Sequence, residues 1–364
     1  MKKIRIIHCL GRLNAGGAET LVMNIFRKID RKKYNFDFLV FSDTHGFYDD
    51  EVKHLGGNIF YTPSISKVGI LKYIKYLIDF FRENSPDVVH SHMDWQGGFI
   101  AYAASKAGIK KIIVHSHANQ KMFESNFIYH FLIEINKRLI HKYATDCLAC
   151  SNIAGKSLFK NDFTLLFNGI DTNRFIKPNE KIIGDLKKEF NIKEDEVILG
   201  SVGSLSENKN HTFLIDILHG LQKYSNKYRL IIVGDGVEKE NLKNKINNYG
   251  LKDYVYFAGI RKEIPEIMST FDIFLLPSKM EGLGIVAIEA QASGLYCIVS
   301  STVPKDIAID DDHVDFCPLD NKKWIDKIIA FKNKKRVDSN KIISSFDISK
   351  TVEKLERIYD GNGK

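Results

Sequence analysis

The sequence predicts an α/β protein built from two doubly wound parallel sheets, one after the other. Two observations carry this. Short apolar runs alternate with amphipathic helical patterns along 364 residues, as successive βαβ units do. A chain of that length can bury two separate cores. The runs fall into two series, parted by a polar, lysine-rich stretch from Lys177 to Glu196 that reads as linker and short helix. Domains are therefore expected at 1–176 and 177–347, ahead of a last helical pattern in 348–364.

The first series opens with Lys3-Ile-Arg-Ile-Ile-His-Cys9, a strand, then the turn Leu10–Thr20 and a helix carrying Leu21, Ile25 and Ile29. Further strands are predicted at Phe36–Phe41, Asn58–Tyr61, Asp87–His90, Lys111–His115 and Asp146–Ala149, with helices at 67–83, 96–107 and 121–142. The first turn fails two phosphate-loop patterns. Gly17-Ala18 stand where a Walker A loop needs Lys-Ser/Thr, and Gly11 is followed only by Gly16 and Gly17, which breaks Gly-x-Gly-x-x-Gly.

In such sheets ligands sit beyond the C-terminal strand ends. Two of those ends carry one tripeptide, His90-Ser-His92 and His115-Ser-His117. Histidines at i and i+2 share a face of a strand, so four imidazoles converge. A transition metal suits imidazole, which makes a metal-dependent hydrolase a rival reading. Against it, no carboxylate or cysteine nearby has ligand spacing. Cys147-Leu-Ala-Cys150 lies in an apolar strand without a second pair, so buried thiols are expected there.

Composition narrows the class. Hydrophobic residues make up 44% and charged residues 27%, as in an ordinary globular protein. The net charge of +8 suits polyanionic partners, among which a nucleotide-binding protein without catalysis is a further reading. The basic residues are dispersed and no nucleic-acid motif appears. Ile4 to Leu10 is too short for the apolar core of a leader and contains Arg5 and His8. Five scattered cysteines fit reduced thiols. A cytoplasmic chain is expected.

The second series has strands near 197–203, 228–233, 254–258, 272–276 and 296–299. After the fourth comes Pro277-Ser-Lys-Met-Glu-Gly-Leu-Gly-Ile-Val-Ala-Ile-Glu289, where Gly282 and Gly284 make a tight loop and a helix begins near Gly284. The amides of Gly282, Leu283, Gly284 and Ile285 would face an anion there. Glu281 and Glu289 flank them as acceptors for hydroxyls. Amides for phosphate beside carboxylates for hydroxyls suit a sugar nucleotide.

Glu281 and Glu289, with seven residues between them in this Pro-Ser-x-x-Glu-Gly-x-Gly setting, resemble the motif of the GT4 family of retaining GT-B glycosyltransferases. The likeness extends along most of the chain. Gly16-Gly17-Ala18-Glu19 is similar to the family's first-domain loop, Asn168-Gly-Ile-Asp171 to its exit from that domain, and Gly203–Phe213 to its phosphate-facing turn. It implies a GT-B fold with a cleft between the domains, and a last helix packing back on the first. It implies transfer of a sugar from a nucleoside diphosphate sugar, UDP by family habit, to a hydroxyl of a growing bacterial surface glycan, without metal or other cofactor.

The residue roles follow from the same resemblance. Lys209 and Gly17 would face the donor diphosphate, Glu281 the donor sugar, Glu289 the ribose, and the backbone of Ile260 and Arg261 the base. His117 would orient the sugar or its phosphate, and His92 and Asn119 would touch the acceptor. Ser204 stands where the family usually carries Arg. Either Arg12 or Arg261 supplies that charge, or donor binding is weak. Finally, 67–83 and 121–142 interleave aromatic and basic residues, Lys72, Tyr73, Lys75, Tyr76, Phe80, Phe81 and Arg82 in one and Phe123, Phe127, Tyr129, Phe131, Lys137 and Arg138 in the other. They read as helices packed on the sheet or as a peripheral contact with an anionic membrane, the latter fitting a lipid-linked acceptor.

Overall fold

The computed structural model describes residues 3–120, 127–309, 312–331 and 345–361. The chain folds into two compact units, Met1–Ile170 with Ile348–Lys364, and Asp171–Asp347. The first break falls at Ile170 rather than 176 because Thr172–Ile176 forms a helix that packs on Ile285–Ala292 of unit 2.

Unit 1 holds a seven-stranded parallel sheet of β1 (Ile4–Leu10), β2 (Tyr34–Val40), β3 (Ile59–Tyr61), β4 (Val88–Ser91), β5 (Lys111–Ser116), β6 (Asp146–Ala149) and β7 (Thr164–Leu165), in the order β3-β2-β1-β4-β5-β6-β7. β1 shows why both faces are apolar: Ile6 and Leu10 enter one core cluster, Ile7 and Cys9 the other. Side chains alternate across a strand, so a strand covered on both sides needs apolar residues at every position.

Unit 2 repeats the scheme with six strands, β8 (Val197–Val202), β9 (Tyr228–Val233), β10 (Val255–Gly259), β11 (Ile273–Leu276), β12 (Tyr296–Ser300) and β13 (Val314–Cys317), in the order β10-β9-β8-β11-β12-β13. Leu199, Leu230, Ile232, Ile273, Leu275 and Ile298 build its main core. The doubly wound α/β class expected from the alternation is the class observed.

Two differences have local causes. The helical pattern at 67–83 is split at Gly69, φ +78°, into Ile65–Val68 and Ile70–Asn84. The one at 121–142 is described from Phe127 to Tyr143; Phe123 lies outside the described residues. β7 and β13 are absent from the expected strands, since two and four residues at a sheet edge are too short to show a period.

Candidate active site

In each sheet the strand order reverses at one place, between β1 and β4 in unit 1 and between β8 and β11 in unit 2. Loops leaving adjacent strands in opposite directions open a crevice there, the usual ligand position of such sheets.

In unit 2 the loops after β8 and β11 are stitched together. Lys279 N–H donates to Asn208 O (2.8 Å), Asn208 Nδ2 to Met280 O (2.8 Å) and Asn210 Nδ2 to Pro277 O (3.2 Å). These bonds carry Lys209 onto Glu281: its Nζ lies 2.6 Å from Glu281 Oε1, which also accepts from Ser278 Oγ at 2.6 Å. Both side chains are largely buried, 20% and 11% exposed. The cation expected on a diphosphate and the carboxylate expected on a sugar are thus held as one pair. Beside them the helix Ile285–Ala292 starts on Gly284, φ +90°, with no side chain capping it. In its first turn Ala287 N–H donates to Gly284 O (2.9 Å), whereas the amides ahead of it have no partner within the helix, so the positive end of the helix is open to an anion.

Glu289, half-buried on that helix, is pushed up to about 7 by burial, with the Arg174 guanidinium opposing. Gly234 completes the crevice: a Cβ there would stand 2.0 Å from Gly203 O, so the turn after β9 closes on the turn after β8 only with glycine. Ser204 is exposed, its Oγ 3.4 Å from Ser206 Oγ. Arg261 does not replace the missing arginine. Its guanidinium is committed to Ala258 O (2.9 Å), Glu263 (3.0 Å) and Glu189, leaving Ile260, 61% exposed, as the accessible part of that segment. Arg12, in unit 1, is exposed and acts on Asp43.

In unit 1, Gly17 is exposed at the start of the helix Gly17–Lys28. The histidines converge as expected, joined by one the sequence did not single out. His8 on β1 is paired in register with His90 on β4. His8 Nδ1 lies 2.9 Å from His92 Nε2, and His92 Nδ1 2.9 Å from His117 Nε2. His90 Nδ1 meets Tyr359 Oη at 2.9 Å. Burial pushes His8 and His117 down to about 3 and His90, His92 and His115 well below the ordinary imidazole value, which favours the neutral ring at all five.

Two histidine triads could gather round an ion, His8 with His90 and His92, and His92 with His115 and His117. His92 belongs to both, and both of its nitrogens are already in 2.9 Å contacts. A metal would have to break that chain to gain its lone pair. The same contacts, with an exposure of only 5%, make His92 an internal link and correct its expected place against an acceptor. His117 is half-buried beyond β5, and Asn119 follows it in the same loop. Asp94, φ +48°, ties that loop down, its Oδ1 accepting from His117 N–H (2.7 Å) and Ala118 N–H (3.1 Å). Burial pushes Asp94 up to about 6. Glu19, in the first turn of Gly17–Lys28, is pushed up to about 7 by burial, with the Asp94 charge adding.

The family described as Glycosyltransferase Family 4 matches residues 15–174, and that described as Glycosyl transferases group 1 matches 183–344. The chain is 37% identical over 310 residues to the putative glycosyltransferase EpsF of Bacillus subtilis, covering 83% of this chain and 80% of that one. The chain belongs to the group 1 glycosyltransferases. A second glycosyltransferase relative, UDP-Gal:alpha-D-GlcNAc-diphosphoundecaprenol alpha-1,3-galactosyltransferase of Escherichia coli, is 26% identical over 98% of this chain and 97% of that one. The fold is GT-B. It matches Anabaena Alr3699/HepE, solved with UDP and glucose, with a TM-score of 0.81 at 19% identity, over 98% of this chain and 100% of that one.

Within this glycosyltransferase, sequence reasoning missed His8 and Asp94 as members of the unit 1 cluster and named Glu19 only as part of the first-domain loop. His8 sits in an apolar strand and is revealed only by its register with His90. Glu19 had a visible signal, an acidic residue in the first turn of a helix that opens on a glycine loop. Cys147 and Cys150 are not bonded to each other; Cys150 is buried as expected and Cys147 only half-buried, its thiol pushed up to about 12 chiefly by burial.

Proposed function

We propose that this glycosyltransferase moves a sugar, with retention of configuration, from a nucleoside diphosphate sugar to a hydroxyl of a growing lipid-linked bacterial surface glycan. UDP is the preferred nucleotide. The observation that carries the reading is the unit 2 crevice, where Lys209, Glu281 and the open helix end at Gly284 meet. UDP, a UDP-sugar and an undecaprenol-linked acceptor stand in the names of the relatives, which supports the same donor and acceptor classes here.

Departure of a nucleoside diphosphate leaves negative charge on a phosphate oxygen, and donors fixed in advance lower that barrier most. The amides at Gly284 and the Lys209 ammonium would supply them without metal. Donor binding would loosen the Lys209–Glu281 pair: the ammonium turns to phosphate, and the freed carboxylate accepts from sugar hydroxyls. Glu289 would accept from the ribose and His117 would orient the reacting sugar. With no side chain among the described residues assigned as a covalent nucleophile, the anomeric carbon–oxygen bond would break as the acceptor oxygen bonds on the same face. The acceptor proton passes to the departing phosphate oxygen.

The test is a panel of sugar nucleotides scored by thermal shift and by donor hydrolysis, followed by proton NMR of the product anomer. A UDP-sugar that stabilises the chain and an α-linked product from an α-donor are expected. An inverted product removes retention, and no response to any sugar nucleotide removes the donor reading.

A further inference from the structure

Three imidazoles of unit 1 form one unbroken line. His117 Nε2 faces His92 Nδ1 at 2.9 Å, and His92 Nε2 faces His8 Nδ1 at 2.9 Å. A neutral imidazole carries one N–H and one bare lone pair. Each contact therefore sets the donor of one ring against the acceptor of the next, and the choice at one ring fixes the others. Only two arrangements satisfy both contacts. Either all three rings are protonated on Nδ1, or all three on Nε2.

The ends of the line are orphaned. His117 Nδ1 and His8 Nε2 are both buried without a hydrogen-bond partner. In the first arrangement His117 Nδ1 is a donor, and in the second it is a bare acceptor. The internal hydrogen bonds are equal in number, so what meets the ends decides between them. Around His8 lie the rings of Phe36 and Phe38, at 4.3 and 5.8 Å, which offer no acceptor oxygen. The ionisable groups facing the line are His90, bound to Tyr359, His115, whose ring lies 4.0 Å from that of His117, and Asp94, whose Oδ1 is taken by backbone amides.

We propose that His8, His92 and His117 act as a single tautomeric unit in which His8 sets whether His117 Nδ1 donates to, or accepts from, a ligand oxygen. His8 is then a positioning residue, two strands from the ring it governs. Reversal moves the two shared protons along their contacts, releases one proton to water or ligand at one end and takes one from water at the other. No ring gains charge. A phosphate oxygen, which only accepts, selects the Nδ1 arrangement; a hydroxyl meets either. The nature of that oxygen rests on the proposed sugar-nucleotide reading, whereas the coupling does not.

The experiment is nitrogen NMR of the full chain labelled in histidine, read without substrate at neutral pH. Expected are three neutral rings, all protonated on the same nitrogen. His8→Phe removes the end whose orphaned Nε2 biases the line, and should shift the His117 tautomer ratio by about fivefold, the equivalent of about 1 kcal/mol for one buried polar group without a partner, while the signal of His219 in unit 2 stays put. His8→Gln, whose amide can meet His92 as donor or acceptor, should restore the original ratio. Should His8→Phe not fold, His92→Leu serves to cut the line. Opposite tautomers at His8 and His117, an unchanged ratio in the folded variant, or stoichiometric zinc binding that abolishes the His92 N–H signal would each overturn the proposal. A failed transfer assay leaves the tautomer result standing, so the two readings fail separately.

Discussion

At the scale of single residues, two carboxylates do different work. Glu281 is held by Lys209 and Ser278, each at 2.6 Å. Lys209→Ala and Glu281→Ala should each lower kcat/KM by about 100-fold or more, the scale for losing one preorganised charge contact. Because the two residues share one contact, their losses should not add in the double variant; additive losses would show that they act apart. Glu289 titrates instead. Its carboxyl is raised by burial to about 7 from 4.5. Raising favours the neutral acid in the folded state, so its contribution to stability is full below the unfolded value and is lost as pH rises through about 7. In the proposed ribose contact the charged form of Glu289 is the better acceptor, so UDP affinity should improve through the same window and become flat in Glu289→Gln. Calorimetric titration at a series of pH values checks both arms. Much of this site was legible, since Lys209, Glu281 and Glu289 lie in motifs continuous along the chain. The ion pair, the commitment of Arg261 to Glu189 and Glu263, and His8 were not. Each depends on side chains brought together from distant segments, which no local pattern records.

At the scale of elements, the fold was read more fully than the site because strands and helices announce themselves by period. The run Asp272–Leu276 and the glycines after it predict a buried strand, a loop and a helix, and β11 and Ile285–Ala292 are found there. What period cannot show is edge strands of two to four residues, or a helix cut by one left-handed glycine, as at Gly69. Gly284 makes the same point for function. Its φ of +90° lets the loop deliver Glu281 and then start the helix. A Cβ there would also meet Val303 Cγ1 at 3.2 Å. Gly284→Ala should cost about 1–2 kcal/mol, visible as a melting temperature lower by a few degrees. It should weaken UDP binding as well, because the amides proposed to receive phosphate would move. A variant that melts lower yet binds UDP as before would separate the loop from the phosphate site.

At the scale of the whole molecule, charge and exposed apolar surface point the same way. The chain carries +8 net charge, and no helix among the described residues is long and apolar enough to cross a membrane. In unit 1 the helix Phe127–Tyr143 leaves Phe127 83%, Ile128 67% and Phe131 57% exposed at its start, with Arg138 exposed farther along. The neighbouring aromatic set divides: Tyr73, Phe80 and Phe81 serve the core, while Leu71, Lys72 and Lys75 are exposed. Stranding three large apolar side chains in water is costly, at about 1.5–3 kcal/mol for each when fully buried elsewhere. Entry into the headgroup layer would recover part of that, with about 1 kcal/mol more for each lysine or arginine near an anionic surface. The peripheral contact with an anionic membrane that these helices would make therefore has two separable parts. Vesicles rich in anionic lipid should sediment the protein, and salt should weaken but not abolish this. Replacing Phe127, Ile128 and Phe131 together by Ser should lower partitioning by about 100-fold at any salt. Replacing Lys72 and Lys75 by Gln should act only at low salt. Sedimentation that ignores both lipid charge and the apolar triple would leave this helix as ordinary surface, and the proposed lipid-linked acceptor would then have to reach the enzyme by another face.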